Sequence, residues 1–234
     1  MPASLVPARQ LAEKASKPFP GDCDAHRKAR TDLLAEEIEL RRHIERVAAQ
    51  RRQLPPGGSP TKDFTFINER GQRVALAELF GKFDTLVTYQ WMFGPDRPRP
   101  CPMCTSFIGA IDVPAHDIVQ RVAFAVIGRS PIQRQVNFKK ERGWRNLPFF
   151  QIEDDAFSRD YRSLLPNGDE MPALDVWVKR DGKVYHFWAS ELAETADPGQ
   201  DPRGAPDPTP LWNILDLTPE GRGTDWYPEL DYKG

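Results

Sequence analysis

Cys101 and Cys104, in the run Cys101-Pro102-Met103-Cys104, are the residues of this 234-residue chain whose type and spacing best suit chemistry. They follow a β-branched and aromatic stretch, residues 85–93, that reads as a central strand. They precede residues 105–116, which read as a helix despite Pro114 near its end. A cysteine at a helix N-terminus faces unpaired backbone N–H groups and the positive end of the dipole, so its thiolate is favoured. Pro102 suits the first helical position, where no N–H is required. The spacing puts the second sulfur about one turn away, near enough to close a small disulfide ring. Arg97 and Arg99 add positive charge nearby. The chemistry this suits is reversible dithiol-disulfide exchange, with Cys101 as nucleophile and Cys104 as the resolving thiol.

Two other readings of the same cysteines stay open. Cys23-Asp24-Ala25-His26 offers a C-x-x-H pair, so a Cys3His zinc set can be written down. Zinc sites usually join paired knuckles on compact loops, whereas this second pair lies in a weakly patterned arm, so no metal ligand is assigned. Cysteines that merely pack are the third reading. With three cysteines in all, an odd and sparse count, no secreted disulfide framework is expected, and a reducing compartment fits.

The elements around the dithiol describe an α/β protein. Residues 1–25 carry no periodicity to bury and read as a flexible N-terminal arm. Residues 26–58 read as a charged amphipathic helix stopped by Pro55-Pro56-Gly57-Gly58, with Leu33, Leu40, Ile44 and Val47 on one stripe. Arg41, Arg42, Arg46, Arg51 and Arg52 are interleaved with Glu36, Glu37, Glu39 and Glu45, a solvated face rather than a nucleic-acid stripe. From residue 59 to 196 short strands and helices alternate. A hairpin is expected around Asn68-Glu69-Arg70-Gly71, a strand at 122–127, a helix at 132–142, an apolar stretch at 147–152 before a short helix to about residue 165, and a second hairpin around Asp181-Gly182. Residues 197–234 read as a Pro-rich loop, a short helix at 211–217 and an aromatic tail, with Trp226, Tyr227 and Tyr232, that packs back on the domain.

Composition excludes several classes of function. Thirty-two basic against 34 acidic residues leave a net charge of −2, so no overall field recruits nucleic acid or an anionic membrane. No stretch reaches the roughly 20 apolar residues of a membrane span, and no secretory h-region opens the chain, so a cytoplasmic location is expected. No organic cofactor is called for. The expected partners are a disulfide-containing protein or a small thiol, and a homodimer is open through the Leu33, Leu40, Ile44 and Val47 stripe.

The run Tyr89-Gln90-Trp91-Met92-Phe93-Gly94-Pro95 with Cys101-Pro102-Met103-Cys104-Thr105-Ser106 resembles the bacterial thioredoxin-like family catalogued as domain of unknown function 899. Arg129-Ser130-Pro131, Arg142-Gly143-Trp144, Asp216-Leu217-Thr218-Pro219-Glu220-Gly221-Arg222 and Gly223-Thr224-Asp225-Trp226 extend the resemblance from about residue 54 to the C-terminus. It implies a thioredoxin-like fold of the peroxiredoxin kind, a central mixed sheet flanked by helices, with dithiol-disulfide oxidoreductase activity. Met171-Pro172 before the strand at 173–179 looks like the thioredoxin proline, typically cis, which would set the residue-171 backbone beside the cysteines and make both residues substrate-binding. Arg129, just past the strand at 122–127, stands where α/β folds place ligands and is the third substrate-binding candidate. Two departures count. Peroxiredoxins place Thr or Ser three residues before the peroxidatic cysteine, where this chain has Pro98, which argues against a peroxidase. Thioredoxins carry a buried acid on the central strand, whereas Val87-Thr88-Tyr89-Gln90 contains none, so no base for Cys104 is expected. His186 reads as a packed strand residue without a catalytic role.

Overall fold

A computed structural model describes residues 5–190 and 228–230, in two compact units that divide at Pro55/Pro56. The Asp197-to-Pro210 loop, the 211–217 helix and the aromatics Trp226, Tyr227 and Tyr232 lie outside the described residues.

The first unit is a helical pair, α1 (Ala8–Ala15) and α2 (Asp24–Arg52). Helix α1 is a departure from the expected arm. Ala8, Leu11, Ala12 and Ala15 recur at the helical spacing i, i+3, i+4 and i+7, and of these Ala8 and Ala12 are buried. Polar ties complete the pair: Thr31 Oγ1 donates to Ser16 Oγ at 2.8 Å, and Arg42 donates to the Val6 carbonyl at 2.6 Å. Cys23 is the N-cap of α2, its sulfur accepting the His26 N–H, while the His26 ring hydrogen-bonds Asp22 at 2.6 Å. Leu33, Leu40 and Ile44 stand more than half exposed on α2.

The second unit is a seven-stranded mixed sheet in the order β2-β1-β5-β4-β3-β6-β7. The strands are β1 (Thr65–Asn68), β2 (Arg73–Ala75), β3 (Thr85–Gln90), β4 (Ala123–Gly128), β5 (Phe149–Ile152), β6 (Ala173–Arg180) and β7 (Lys183–Ala189). Helices α3 (Pro102–Asp112), α4 (Ala115–Ile118), α5 (Ile132–Glu141) and α6 (Asp155–Asp160) connect them. Strands β3, β4 and β5 run parallel, and β6 and β7 run antiparallel at one side. The all-apolar run of β4 is buried on both faces, as a central parallel strand must be. Alternation then sorts its side chains. Phe124 and Val126 join Tyr89, Trp91, Cys104, Ile108, Phe138 and Phe149 in one core, while Ala123, Ala125 and Ile127 join Phe66, Leu86, Phe157 and Trp177 in the other.

Two boundaries differ from the sequence reading. The helix after the cysteines ends at Asp112, because Pro114 has no N–H to donate and its ring blocks the preceding turn; Pro114 instead caps the separate α4. The strand expected at 85–93 leaves the ladder after Gln90, and Trp91 to Phe93 turn tightly, the Phe93 N–H donating to the Trp91 carbonyl at 2.8 Å. A buried amide fixes that departure. Gln135 of α5 accepts the Trp91 indole N–H at 3.2 Å and donates to the carbonyls of Gly128 and Ser130 at 3.1 and 2.7 Å. At Gly128 a Cβ would stand 2.4 Å from the Trp91 indole nitrogen, so only glycine admits that ring. Of the C-terminal residues described, Leu230 packs against the Tyr89 core, and its carbonyl accepts from Arg142 at 3.1 Å.

At the far end of α3, the buried Asp112 carboxylate accepts three backbone N–H groups, from Arg145, Asn146 and Leu147, at 2.9–3.0 Å. Removing a charged acceptor leaves those donors unmet, so Asp112→Ala should lower unfolding stability by about 3 kcal/mol in urea titration. A loss below about 0.5 kcal/mol would show that water satisfies the three amides equally well.

Candidate functional site

The geometry at the dithiol follows from one short stretch of backbone. Strand β3 ends beside β4, the chain loops through residues 91–100, and Cys101 becomes the N-cap of α3 with Pro102 in the first turn. Pro102 removes one N–H that the helix end could not satisfy. The Cys101 N–H donates to the Met92 carbonyl at 3.0 Å, and the Cys101 carbonyl accepts from both the Thr105 N–H at 3.0 Å and the Thr105 hydroxyl at 2.9 Å. Cys101 is thereby half-buried at the mouth of the site while Cys104, one turn on, is 1% exposed in the core.

Electrostatics separate the two sulfurs. The Cys101 thiol is drawn down to about 6, first by the hydrogen bond that the Cys104 side chain gives its thiolate, then by the backbone N–H groups of Cys104 and Met103 and the charge of Arg97, against the opposing effect of burial. The Cys104 thiol is pushed well above its ordinary value because its proton is committed to Cys101 and because it is buried. On the core side Cys104 meets the Met92 backbone N–H and the Tyr89 hydroxyl. Met92 therefore touches both cysteines through its backbone. Burial and the neighbouring Cys104 hold the Tyr89 phenol protonated, and its ring lies 4.3 Å from that of Phe107 on α3.

The residues assigned from sequence now have places. Arg97 donates to Glu170 at 2.9 Å. Arg99 makes a two-pronged pair with Glu141, at 2.6 and 3.0 Å, over the Phe138 ring. Arg129 binds Asp155 through two nitrogens at 2.8 and 2.9 Å and Glu170 through a third at 3.2 Å. Its side chain is only 16% exposed, and these charge-assisted bonds fix the orientation of its guanidinium. Met171 donates its N–H to the Ser163 carbonyl at 3.0 Å. The antiparallel register pairs Gln90 with Ala173 at the end of the ladder, where Met171-Pro172 enter β6 and Trp91-Met92 leave β3. The loops after β3 and β4 and the turn before β6 thus converge at the end of the sheet where parallel strands present ligands.

Three contributors are given no role at the site by the sequence reading. Tyr89 hides among strand aromatics, although its place one residue before Gln90 already puts it on the face that α3 covers. Glu170, directly before Met171-Pro172, bonds the Gly94 N–H, Arg97 and Arg129, all distant in sequence. Arg134 of α5 donates to the carbonyls of Pro95 and Arg97 at 2.9 and 2.5 Å. A buried acid does exist one strand away from the expected position. Asp175 stands opposite Thr88 on the face away from Cys104, where it meets His186 at 2.9 Å. Among the described residues no group of three or more His, Cys, Asp or Glu is placed to hold a metal ion.

Two parallel strands joined through the helix that carries the dithiol, flanked by an antiparallel hairpin in the order β4-β3-β6-β7, define a thioredoxin-like fold. Within it the chain belongs to the family described as bacterial protein of unknown function, DUF899, whose model matches residues 17–232. Among solved structures it is similar to a peroxidoxin, BcpB, from Mycobacterium tuberculosis, at 19% identity and a TM-score of 0.42 over 56% of this chain and 83% of that one. It is also similar to a peroxiredoxin-like protein from Aquifex aeolicus, at 14% identity and 0.44 over 57% and 73%, and to a PrxQ from Xylella fastidiosa, at 10% and 0.42 over 58% and 87%. No curated protein matches the sequence significantly. No described helix is long and apolar enough to cross a membrane.

The ordering of the two thiols is directly measurable. Iodoacetamide should alkylate Cys101 with a midpoint near pH 6, and Cys104 should stay unreactive at that pH. A hydrogen bond to a charged sulfur favours the charged form, so Cys104→Ala should move the Cys101 midpoint upward. An unmoved midpoint would mean that the Cys104 proton is not held between the two sulfurs.

Proposed function

We propose that the chain is a thiol-disulfide oxidoreductase working through Cys101 and Cys104. What supports this most is the hydrogen bond between the two sulfurs at the start of α3, which leaves the accessible one a thiolate near neutral pH and the buried one a thiol. The Cys101 thiolate attacks one sulfur of a substrate disulfide, forming the Cys101-substrate bond and releasing the other sulfur as thiolate. Cys104 then gives up its proton and attacks Cys101, breaking the mixed disulfide and forming Cys101–Cys104. The substrate disulfide has gained two electrons and the dithiol has lost two. The Cys104 proton ends on a departing substrate thiolate, so the exchange balances without an acid on the central strand.

The Tyr89 hydroxyl and the Met92 N–H stabilise charge as it forms on Cys104. Met171 and Pro172, which lead directly into β6 at the end of its ladder with β3, form the wall on which the substrate strand lies. Arg129 serves that wall from behind, through Glu170. Substrates are a disulfide-bonded protein or an oxidised small thiol.

The two cysteines should behave asymmetrically. Incubated with oxidised glutathione or a bacterial extract, alkylated and read by non-reducing mass spectrometry, Cys104→Ser should accumulate adducts at Cys101, whereas Cys101→Ser should not. Protein adducts indicate a protein disulfide substrate, and glutathione alone indicates a small-thiol one. Equal trapping by both variants would remove the catalytic assignment and leave a thioredoxin-like scaffold.

A further inference from the structure

Glu170 lies one residue before the Met171-Pro172 pair, its side chain 8% exposed, and its carboxylate is surrounded by donors from the other side of the site. One oxygen accepts the Gly94 N–H at 3.0 Å and Arg97 Nε at 2.9 Å. The other accepts from Arg129 at 3.2 Å, and Arg129 is held in turn by Asp155. Gly94 is tied to this contact. A Cβ there would stand 2.4 Å from a Glu170 oxygen and 3.0 Å from Arg129, so any other residue would have to push these two side-chain ends aside. The same loop is gripped on its carbonyls from the opposite side, by Ser130 Oγ on Gly94 at 3.0 Å and by Arg134 on Pro95 and Arg97. Between these grips run residues 94–100, with Pro95, Pro98 and Pro100, and then Cys101.

A surface carboxylate facing one arginine would be an ordinary ion pair of small worth. Glu170 differs in what it joins. Its bonds cross from the turn before β6 to the loop that delivers Cys101, the two segments between which a substrate disulfide must enter, and one of its partners is an arginine whose charge reaches Cys101. At 8% exposure its carboxylate depends on these partners for most of its hydrogen bonding.

We infer that Glu170 is a positioning residue, whose carboxylate holds the Gly94 amide and Arg97 together and so sets where the Cys101 loop and the Arg97 charge stand relative to the Cys101 sulfur. The inference rests on the proposed exchange chemistry for its purpose, and its test reads the Cys101 thiol itself, whether or not the protein turns over a disulfide. The ionisable groups in play are Arg97, Arg129 and Asp155 around Glu170, with Cys104 and Tyr89 behind Cys101 and Arg134 on the loop.

The experiment is the pH dependence of iodoacetamide alkylation at Cys101 in the full chain and in Glu170→Gln, Glu170→Ala and Arg97→Gln. Glutamine keeps an acceptor for the Gly94 N–H and for Arg97 while removing a negative charge, so the Cys101 midpoint should fall. Alanine releases both partners, so the midpoint should rise, as it should in Arg97→Gln. Opposite signs for glutamine and alanine support positioning. Downward shifts in both would show that Glu170 acts only as a nearby charge, and midpoints that do not move in folded variants would show that it only stabilises the fold; either result overturns the inference. Where the alanine protein does not fold, the glutamine and Arg97→Gln variants decide, a fall in the first with a rise in the second supporting it and any other pair overturning it. Wild-type protein that fails to exchange with any disulfide would overturn the proposed function and leave this comparison intact.

Discussion

The proton that the Cys104 side chain shares with the Cys101 sulfur is the interaction around which this molecule is arranged. Keeping it there requires one sulfur at a helix end and the other a turn deeper, in a core that excludes water. The helix end comes from Pro102 and the N-cap position of Cys101. The dry core comes from Tyr89, Trp91, Ile108, Phe138 and Phe149, brought together because β3 and β4 are buried on both faces and α3 and α5 cover one of them. In such surroundings a buried thiol stays protonated, and an accessible thiolate is stabilised by fixed N–H groups rather than by solvent.

Much of this was legible in the sequence because it is local. The Cys-Pro-Met-Cys run, proline in the first turn, the apolar strand before it and the Asp181-Gly182 turn between β6 and β7 each depend on residues a few positions apart. What escaped is long-range. Arg99 and Arg129 looked available in one dimension, yet their partners Glu141, Asp155 and Glu170 lie 26 to 42 residues away. Glu170 and Arg134 are ordinary charged residues until the fold sets them on opposite sides of the loop before Cys101. Helix α1 escaped for a different reason: its stripe of Ala8, Leu11, Ala12 and Ala15 is only two turns long and three of its four members are alanines.

The absent acid on the central strand shows how composition and placement differ. A buried carboxylate is present, at Asp175, but alternation along β6 turns it to the face opposite Cys104, where His186 and the amide of Gln90 receive it. That polar group organises the second face. Gln90 in turn accepts from the hydroxyls of Ser158 and Ser163, and Ser163 holds the Met171 N–H through its carbonyl. The turn carrying Met171-Pro172 is therefore fixed twice, through Ser163 and through Glu170.

The central claim, that the two sulfurs act as one redox couple, is tested most directly by equilibrating the protein in glutathione buffers of graded potential and mapping its thiols by mass spectrometry. The account predicts a single reversible two-electron transition that links Cys101 to Cys104 and leaves Cys23 free. Oxidation of Cys101 alone to an oxyacid or a stable glutathione adduct, with Cys104 still a thiol, would contradict it.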